Sequence, residues 1–317
     1  MKVERIAAIP LNKKTAKSYT EQIAKQKIGQ PIKKIKYLGG GSFGRAYGIE
    51  FKNKKKIVIK FLRAKDMIDK EVHDLKLLAN NCPVKIPKVL FVQKSNDIIP
   101  VDCYGMEHIE GRNALMALGM LVQSKRNRKD FADKVTCALH QIHCCKSNKF
   151  GDTLSPDCST WIDYYKPFAK AVLDKAEEMY QAKTLSEKII TTMRAAWEKF
   201  DIIFSEKFEE ACLIHGDLNI ANIMVGKNTQ ISGFIDPLNS MYADREYDLF
   251  QFDNLTGKRF YLRETYMRKY GASKYCDAKC AFYGLWNEVY CYIKSGILIS
   301  LIMNPLIKNM RKKLATL

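Results

Sequence analysis

Ile214-His215-Gly216-Asp217-Leu218-Asn219-Ile220-Ala221-Asn222 is the stretch on which the fold turns. Asn222 follows Asp217 after five residues, and two short apolar runs of strand character, Ala211 to Ile214 and Ile223 to Val225, bracket the pair. Phosphoryl transfer needs this combination: a carboxylate that orients an attacking hydroxyl and accepts its proton, and beside it an amide oxygen that holds magnesium on the phosphates. Asp217 is thus the candidate catalytic residue and Asn222 a candidate metal ligand. Nineteen residues past Asp217, Asp236 ends the strand-like run Ile231 to Ile235, where a second carboxylate can chelate the same ion. Taken singly, His215 also reads as a core histidine and Asp236 as a turn residue before Pro237.

Upstream, Gly39-Gly40-Gly41-Ser42-Phe43-Gly44 fits a glycine-rich phosphate loop. A dinucleotide fingerprint would open a helix, but Gly44 leads into Ala46 to Phe51, which has strand propensity. A Walker A loop would continue with Lys and Ser or Thr, and here Arg45-Ala46 follow. What remains is a hairpin that lays backbone N–H groups over phosphates, with Gly39, Gly41, Ser42, Phe43 and Gly44 as candidate nucleotide contacts. Lys60 comes sixteen residues after Gly44 in the apolar run Ile57 to Phe61, the spacing of the hairpin's return strand. That places its ammonium under the loop, facing the α- and β-phosphates. Glu71 is the candidate carboxylate that holds it, with Asp69 and Asp74 as rivals on the same predicted helix.

The rest of the first third reads as sheet with one helix. Strands are predicted at Ile35 to Leu38, Ala46 to Phe51, Lys56 to Leu62, Val89 to Val92 and Val101 to Met106, and a helix from Asp66 to Leu78. A capping box at Ser18 to Glu21 predicts a short helix over Gln22 to Ile28, ending at Gly29. Beyond Gly111 the apolar period becomes helical, as at Phe131, Val135, Ala138, Leu139 and Ile142. Two regions are therefore expected, 1–106 with the nucleotide-binding elements and 107–317 with the hinge and the catalytic and acceptor elements.

The chain has 317 residues and a formal net charge of +19. Residues 1–106 hold 23 Lys and Arg against 9 Asp and Glu, whereas residues 107–317 hold 30 against 25, so the excess sits in the first third. No aromatic platform interleaves the lysine runs, so solvated edges explain them better than a specific nucleic-acid face. Ten cysteines without a secretory signal point to reduced thiols and a cytoplasmic protein. The most apolar run, Gly296 to Ile307, is too short to span a membrane and is expected to form a core helix.

The chain resembles the aminoglycoside phosphotransferase and fructosamine kinase branch of the protein-kinase-like superfamily over nearly its whole length. The residues that carry the resemblance are the glycine loop, Lys60, Tyr104 to Gly111, Ala138 to His143, His215 to Asn222, Ile235-Asp236-Pro237 and Asp244 to Leu249. It implies a two-lobed α+β fold of the protein-kinase type, with an antiparallel-sheet N-terminal lobe and a mainly helical C-terminal lobe. It also implies that the Glu107 carbonyl and Ile109 N–H hold adenine and that Asp248 braces the metal loop. Departures from protein kinases narrow the reading: Gly216 replaces an arginine, Ile-Asp-Pro stands for Asp-Phe-Gly, and no Ala-Pro-Glu follows.

The expected activity is magnesium- and ATP-dependent transfer, with GTP as the alternative nucleotide, to a hydroxyl of a small molecule: an aminoglycoside, an aminated or plain sugar, or a choline-like compound. A protein Ser/Thr kinase and a non-catalytic nucleotide- or polyanion-binding protein are the alternatives. A monomer or weak dimer is expected. Acidic candidates for the acceptor pocket are Asp201, Glu206, Glu209, Glu210, Asp244, Glu246, Asp253 and Glu288. Trp161, Trp197 and Trp286 are either core residues or stacking surfaces for the acceptor.

Overall fold

The computed structural model describes residues 3–206 and 210–317, so Glu209 lies outside the described residues. The first third runs α1 (Lys13–Ile28), β1 (Ile32–Gly39), β2 (Gly44–Phe51), β3 (Lys56–Leu62), α2 (Ile68–Asn81), β4 (Val89–Gln93) and β5 (Asp102–Glu107). Its strands form one antiparallel sheet in the order β1-β2-β3-β5-β4. Successive strand residues point to opposite faces. Ile57, Ile59 and Phe61 of β3 thus join Tyr47, Ile49 and Phe51 of β2 in an outer core against Ala16, Ile23 and Ala24 of α1. Lys60 faces the other way, toward α2.

α1 begins at Lys13, nine residues before the predicted start, because Asn12 caps it and accepts the Thr15 N–H at 2.9 Å. The four residues it buries, Ala16, Thr20, Ile23 and Ala24, lie on one face, but Ala and Thr leave little apolar signal in the first two turns.

The remainder runs β6 (Arg112–Asn113), α3 (Leu118–Leu121), α4 (Lys125–His143), β7 (Lys146–Ser147), β8 (Gly151–Asp152), α5 (Trp161–Gln181), α6 (Glu187–Glu198) and α7 (Phe200–Ile203). It continues through β9 (Ala211–Leu213), β10 (Ile223–Val225), β11 (Ile231–Phe234), β12 (Met241–Ala243), α8 (Glu246–Leu249), α9 (Leu262–Tyr270), α10 (Cys276–Ser295) and α11 (Ser300–Leu314). Two small sheets, β11-β10-β6 and β7-β9-β12-β8, are inserted among the helices. The stretch 214–222 is the connection between them, from β9 to β10. α10 runs through the helical core, with Phe282, Tyr283, Leu285, Trp286 and Val289 buried. Trp161 is buried beside it, and Trp197 packs on Phe200 with ring centroids 5.0 Å apart.

The apolar run at 296–307 departs from the core helix expected there. Gly296 ends α10 with φ +71°, Ile297 and Ile299 are exposed, and α11 buries only Met303, Ile307 and Met310 while Leu301 is 88% exposed. All ten cysteines are free thiols. Among the described residues no helix is long and apolar enough to cross a membrane.

Candidate active site

Lys60 and Asp236 meet where the two lobes face each other. Lys60 Nζ lies 2.9 Å from Glu71 Oε2 and 2.7 Å from Asp236 Oδ1. The same Glu71 oxygen accepts the Tyr104 hydroxyl at 3.0 Å, so the carboxylate is held from two sides. The rivals are engaged elsewhere: Asp69 pairs with Lys94 at 2.7 Å, and Asp74 takes Lys70 at 2.9 Å and the Thr153 hydroxyl. The glycine loop lies over the lysine, since a Cβ added at Gly44 would come 3.5 Å from Lys60 Cε. At Gly40 a Cβ would lie 2.3 Å from the Gly44 carbonyl oxygen, so only glycine closes this turn.

The connection from β9 to β10 folds back on itself around Asp217. Asn222 Nδ2 donates to the Asp217 backbone carbonyl at 2.7 Å and to Oδ2 at 3.0 Å, while Asn219 Nδ2 donates to Oδ1 at 2.8 Å. Asn219 was not among the sequence candidates, although its place two residues after Asp217 in the same loop offers the signal. Ile235 N–H donates to the Asn222 carbonyl at 3.0 Å, which brings Asp236 beside Asn222. Both amide hydrogens of Asn222 can thus serve Asp217, and its side-chain oxygen accepts no hydrogen bond among the described residues. That oxygen and the half-exposed Asp236 carboxylate are hard donors of the kind magnesium takes, completed by phosphate and water, so the pair fits the ion. Among the described residues there is no cluster of three or more His, Cys, Asp or Glu that would compete as a metal site.

Asp248 grips the start of this loop. Its carboxylate accepts the His215 N–H at 2.8 Å and the Gly216 N–H at 2.7 Å, and His143 Nε2 lies 3.1 Å away. Asp248 thus braces the start of the loop that carries Asn222, at 215–216. Gly216 has φ +80°, and a Cβ there would lie 2.5 Å from the backbone of Asn239. An arginine does not fit this backbone.

The electrostatics divide the two cleft carboxylates. Desolvation first and the charge of Asp236 second push the Asp217 carboxyl up to about 7, against the opposing hydrogen bonds of Asn219 and Asn222. The Lys60 charge beside it holds Asp236 below the usual range. Burial pushes His215 down to about 4, so it is a neutral structural group at physiological pH.

The end of β5 and the segment after it are each tied to a neighbouring segment. The Glu107 N–H donates to Lys88 O at 2.9 Å, and Ser232 Oγ donates to Glu110 O at 2.6 Å. Ile109 is buried. Of the acidic acceptor candidates, Asp201 pairs with Lys166 at 2.7 Å, Glu210 with Lys146 at 3.7 Å and Asp253 with Arg263 at 2.9 Å. Glu206 accepts the Lys274 N–H at 2.9 Å. Asp244 and Glu246 both hold the buried Lys279, the latter at 2.8 Å. Glu288 alone has no hydrogen bond or ion pair among the described residues.

A sheet-based lobe and a helical lobe that enclose a lysine–carboxylate group and an Asp–Asn loop define a protein of the kinase-like class. The profile of the phosphotransferase enzyme family matches residues 34–278, and the chain belongs to that family. Similar solved structures include the aminoglycoside phosphotransferase APH(4)-Ia, 15% identical over 95% of this chain and 99% of that one, with a TM-score of 0.71. Aminoglycoside 2′-phosphotransferase-IIIa, solved as its GDP complex, is 18% identical over 94% of this chain and 98% of that one, with a TM-score of 0.68. A protein assigned as a fructosamine-3-kinase from Thermobifida fusca is 16% identical over 93% and 98%, with a TM-score of 0.64. At these identities the likeness is one of fold. No curated protein sequence matches the chain.

Proposed function

We propose that the chain is a magnesium- and ATP-dependent phosphotransferase that moves the γ-phosphate to a hydroxyl of a small molecule. The observation that carries this reading is the approach of Lys60 to Asp236, at 2.7 Å, beside an Asp217 whose carboxyl is raised to about 7. Lys60, held by Glu71, binds the nucleotide phosphates under the hairpin of Gly39, Gly41, Ser42, Phe43 and Gly44. The Glu107 carbonyl and Ile109 N–H take the adenine, with guanine as the alternative base. Asn222 and Asp236 hold magnesium, which when bound neutralises charge on the phosphates. Asp217 orients the acceptor hydroxyl and accepts its proton, and a carboxyl titrating near neutral pH suits that task. The transfer is direct, without a phosphorylated enzyme.

Glu288 favours an aminated acceptor. Desolvation raises its carboxyl, and its negative charge, like that of Asp217, raises the Cys291 thiol on the next turn of α10. Glu288 and Asp217 thus both act on Cys291, and an unpaired carboxylate near the base attracts a cationic group. Likeness of fold to a protein solved as a GDP and kanamycin complex is in keeping with this. The test is release of ADP from magnesium-ATP across a panel of aminoglycosides, fructosamines, choline and neutral sugars. Release that depends on an aminated acceptor supports the reading. Nucleotide binding with no acceptor-dependent release from any panel member refutes it and leaves the non-catalytic alternative.

A further inference from the structure

The outer face of the glycine hairpin carries a second cavity of about 630 Å³, a size typical of small-molecule sites. It lies across the sheet from Lys60: Arg45, on its wall, pairs with Phe61 of the outer core, whereas Lys60, the preceding residue on β3, faces the cleft. The walls come from the segment around Arg5, the start of α1, the glycine loop, the last residue of α10, Ser295, and Ile297 just after it. The N-terminal segment is pinned at both ends of the cavity, by Ile6 N–H to Lys294 O at 3.0 Å and Ile9 N–H to Arg63 O at 2.7 Å.

Arg5, Lys13, Arg45 and Arg63 line this space, and none of its 16 lining residues is acidic. Among the described residues no carboxylate pairs with any of the four. The two inner guanidiniums donate only to carbonyls, Arg45 Nη1 to Gly41 and Gly44 at 2.8 and 2.7 Å, and Arg63 Nη1 to Ser42 at 3.0 Å with Nε to Ile9 at 2.8 Å. The remaining donors of both are left over, and like charges so close are costly without an anion. α1 opens on the same space with no acidic residue in its first turn, which adds the positive end of its dipole.

We propose that this cavity binds a small phosphate-bearing anion, at a site separate from the nucleotide cleft and touching the glycine loop from outside. It gives a local use to part of the positive excess of residues 1–106. Arg5 and Lys13 are exposed, so replacing them leaves the core intact.

Calorimetric titration of the full chain with tripolyphosphate tests this, with citrate as a phosphate-free polyanion. The expected result is that the wild type and Lys60→Met both bind tripolyphosphate, and that the double variant Arg5→Ala/Lys13→Ala binds it about tenfold more weakly or worse at unchanged thermal stability. Absence of binding, binding that is lost in Lys60→Met but intact in the double variant, or equal affinity for citrate overturns the proposal.

Discussion

Lys60 and Lys279 each sit between two carboxylates, Glu71 with Asp236 in one case and Asp244 with Glu246 in the other. What separates the two groups is access to solvent. The Asp236 side chain is 50% exposed, while Asp244, Glu246 and Lys279 are buried, at 2% or less. Every polar group of the buried set is satisfied from within. Glu246 also takes the Ser273 N–H at 2.6 Å and hydroxyl at 2.7 Å, and Asp244 takes the Tyr283 hydroxyl at 3.1 Å. Burial opposes the charge on Lys279, yet the two carboxylates outweigh it and lift the ammonium to about 12. Such a group ties α10 to the start of α8 and has nothing left for a ligand, which takes Asp244 and Glu246 out of the set of acceptor candidates. The cleft group keeps one carboxylate open to water, and that opening is where chemistry can enter.

Breaking the buried group carries the largest expected effect. Lys279→Met strands two carboxylates in the core and lowers unfolding free energy by about 3–5 kcal/mol in chemical denaturation. A loss under about 1 kcal/mol would erase the contrast between the two lysines. Lys60→Met is expected to do the reverse. It lowers acceptor-dependent turnover about a hundredfold but changes stability by only about 1 kcal/mol, because Asp236 reaches water and Glu71 keeps the Tyr104 hydroxyl.

A third effect comes from the raised carboxyl of Asp217, which binds its proton more tightly in the folded chain than in the unfolded one, where carboxyls titrate near about 3.9. Stability therefore falls as pH rises from about 4 through 7, and Asp217→Asn removes that loss. The variant should gain about 1–2 kcal/mol at pH 8 and almost nothing near pH 4, read as the difference in melting temperature. Over the same window kcat/KM of the wild type should rise with pH and level off above about 7.

The longer strands were legible to within one to three residues, whereas the short β6, β7, β8 and β12 were not read at all. β3 and β10 coincide with the runs Lys56–Leu62 and Ile223–Val225 because apolar alternation is a local signal. α1 was only half legible, since a cap by Asn12 and a first face of Ala and Thr carry no apolar period. The buried lysine of α10 could not be read at all: a single Lys in an apolar helix gives no hint of partners more than thirty residues upstream, at Asp244 and Glu246. The grip of Asp248 on 215–216 and the outer cavity behind the glycine loop depend likewise on contacts between distant segments. Within the cleft, residue types and spacing named Lys60, Asp217, Asn222 and Asp236, and folding supplied the distances.

The most direct measurement compares acceptor-dependent ADP release by the wild type and by Asp217→Asn, with binding of a non-hydrolysable ATP analogue followed in parallel. The account predicts that the variant binds the analogue as the wild type does and turns over 10²–10⁴-fold more slowly, on the order expected for loss of a general base. Equal turnover by the two proteins would contradict it.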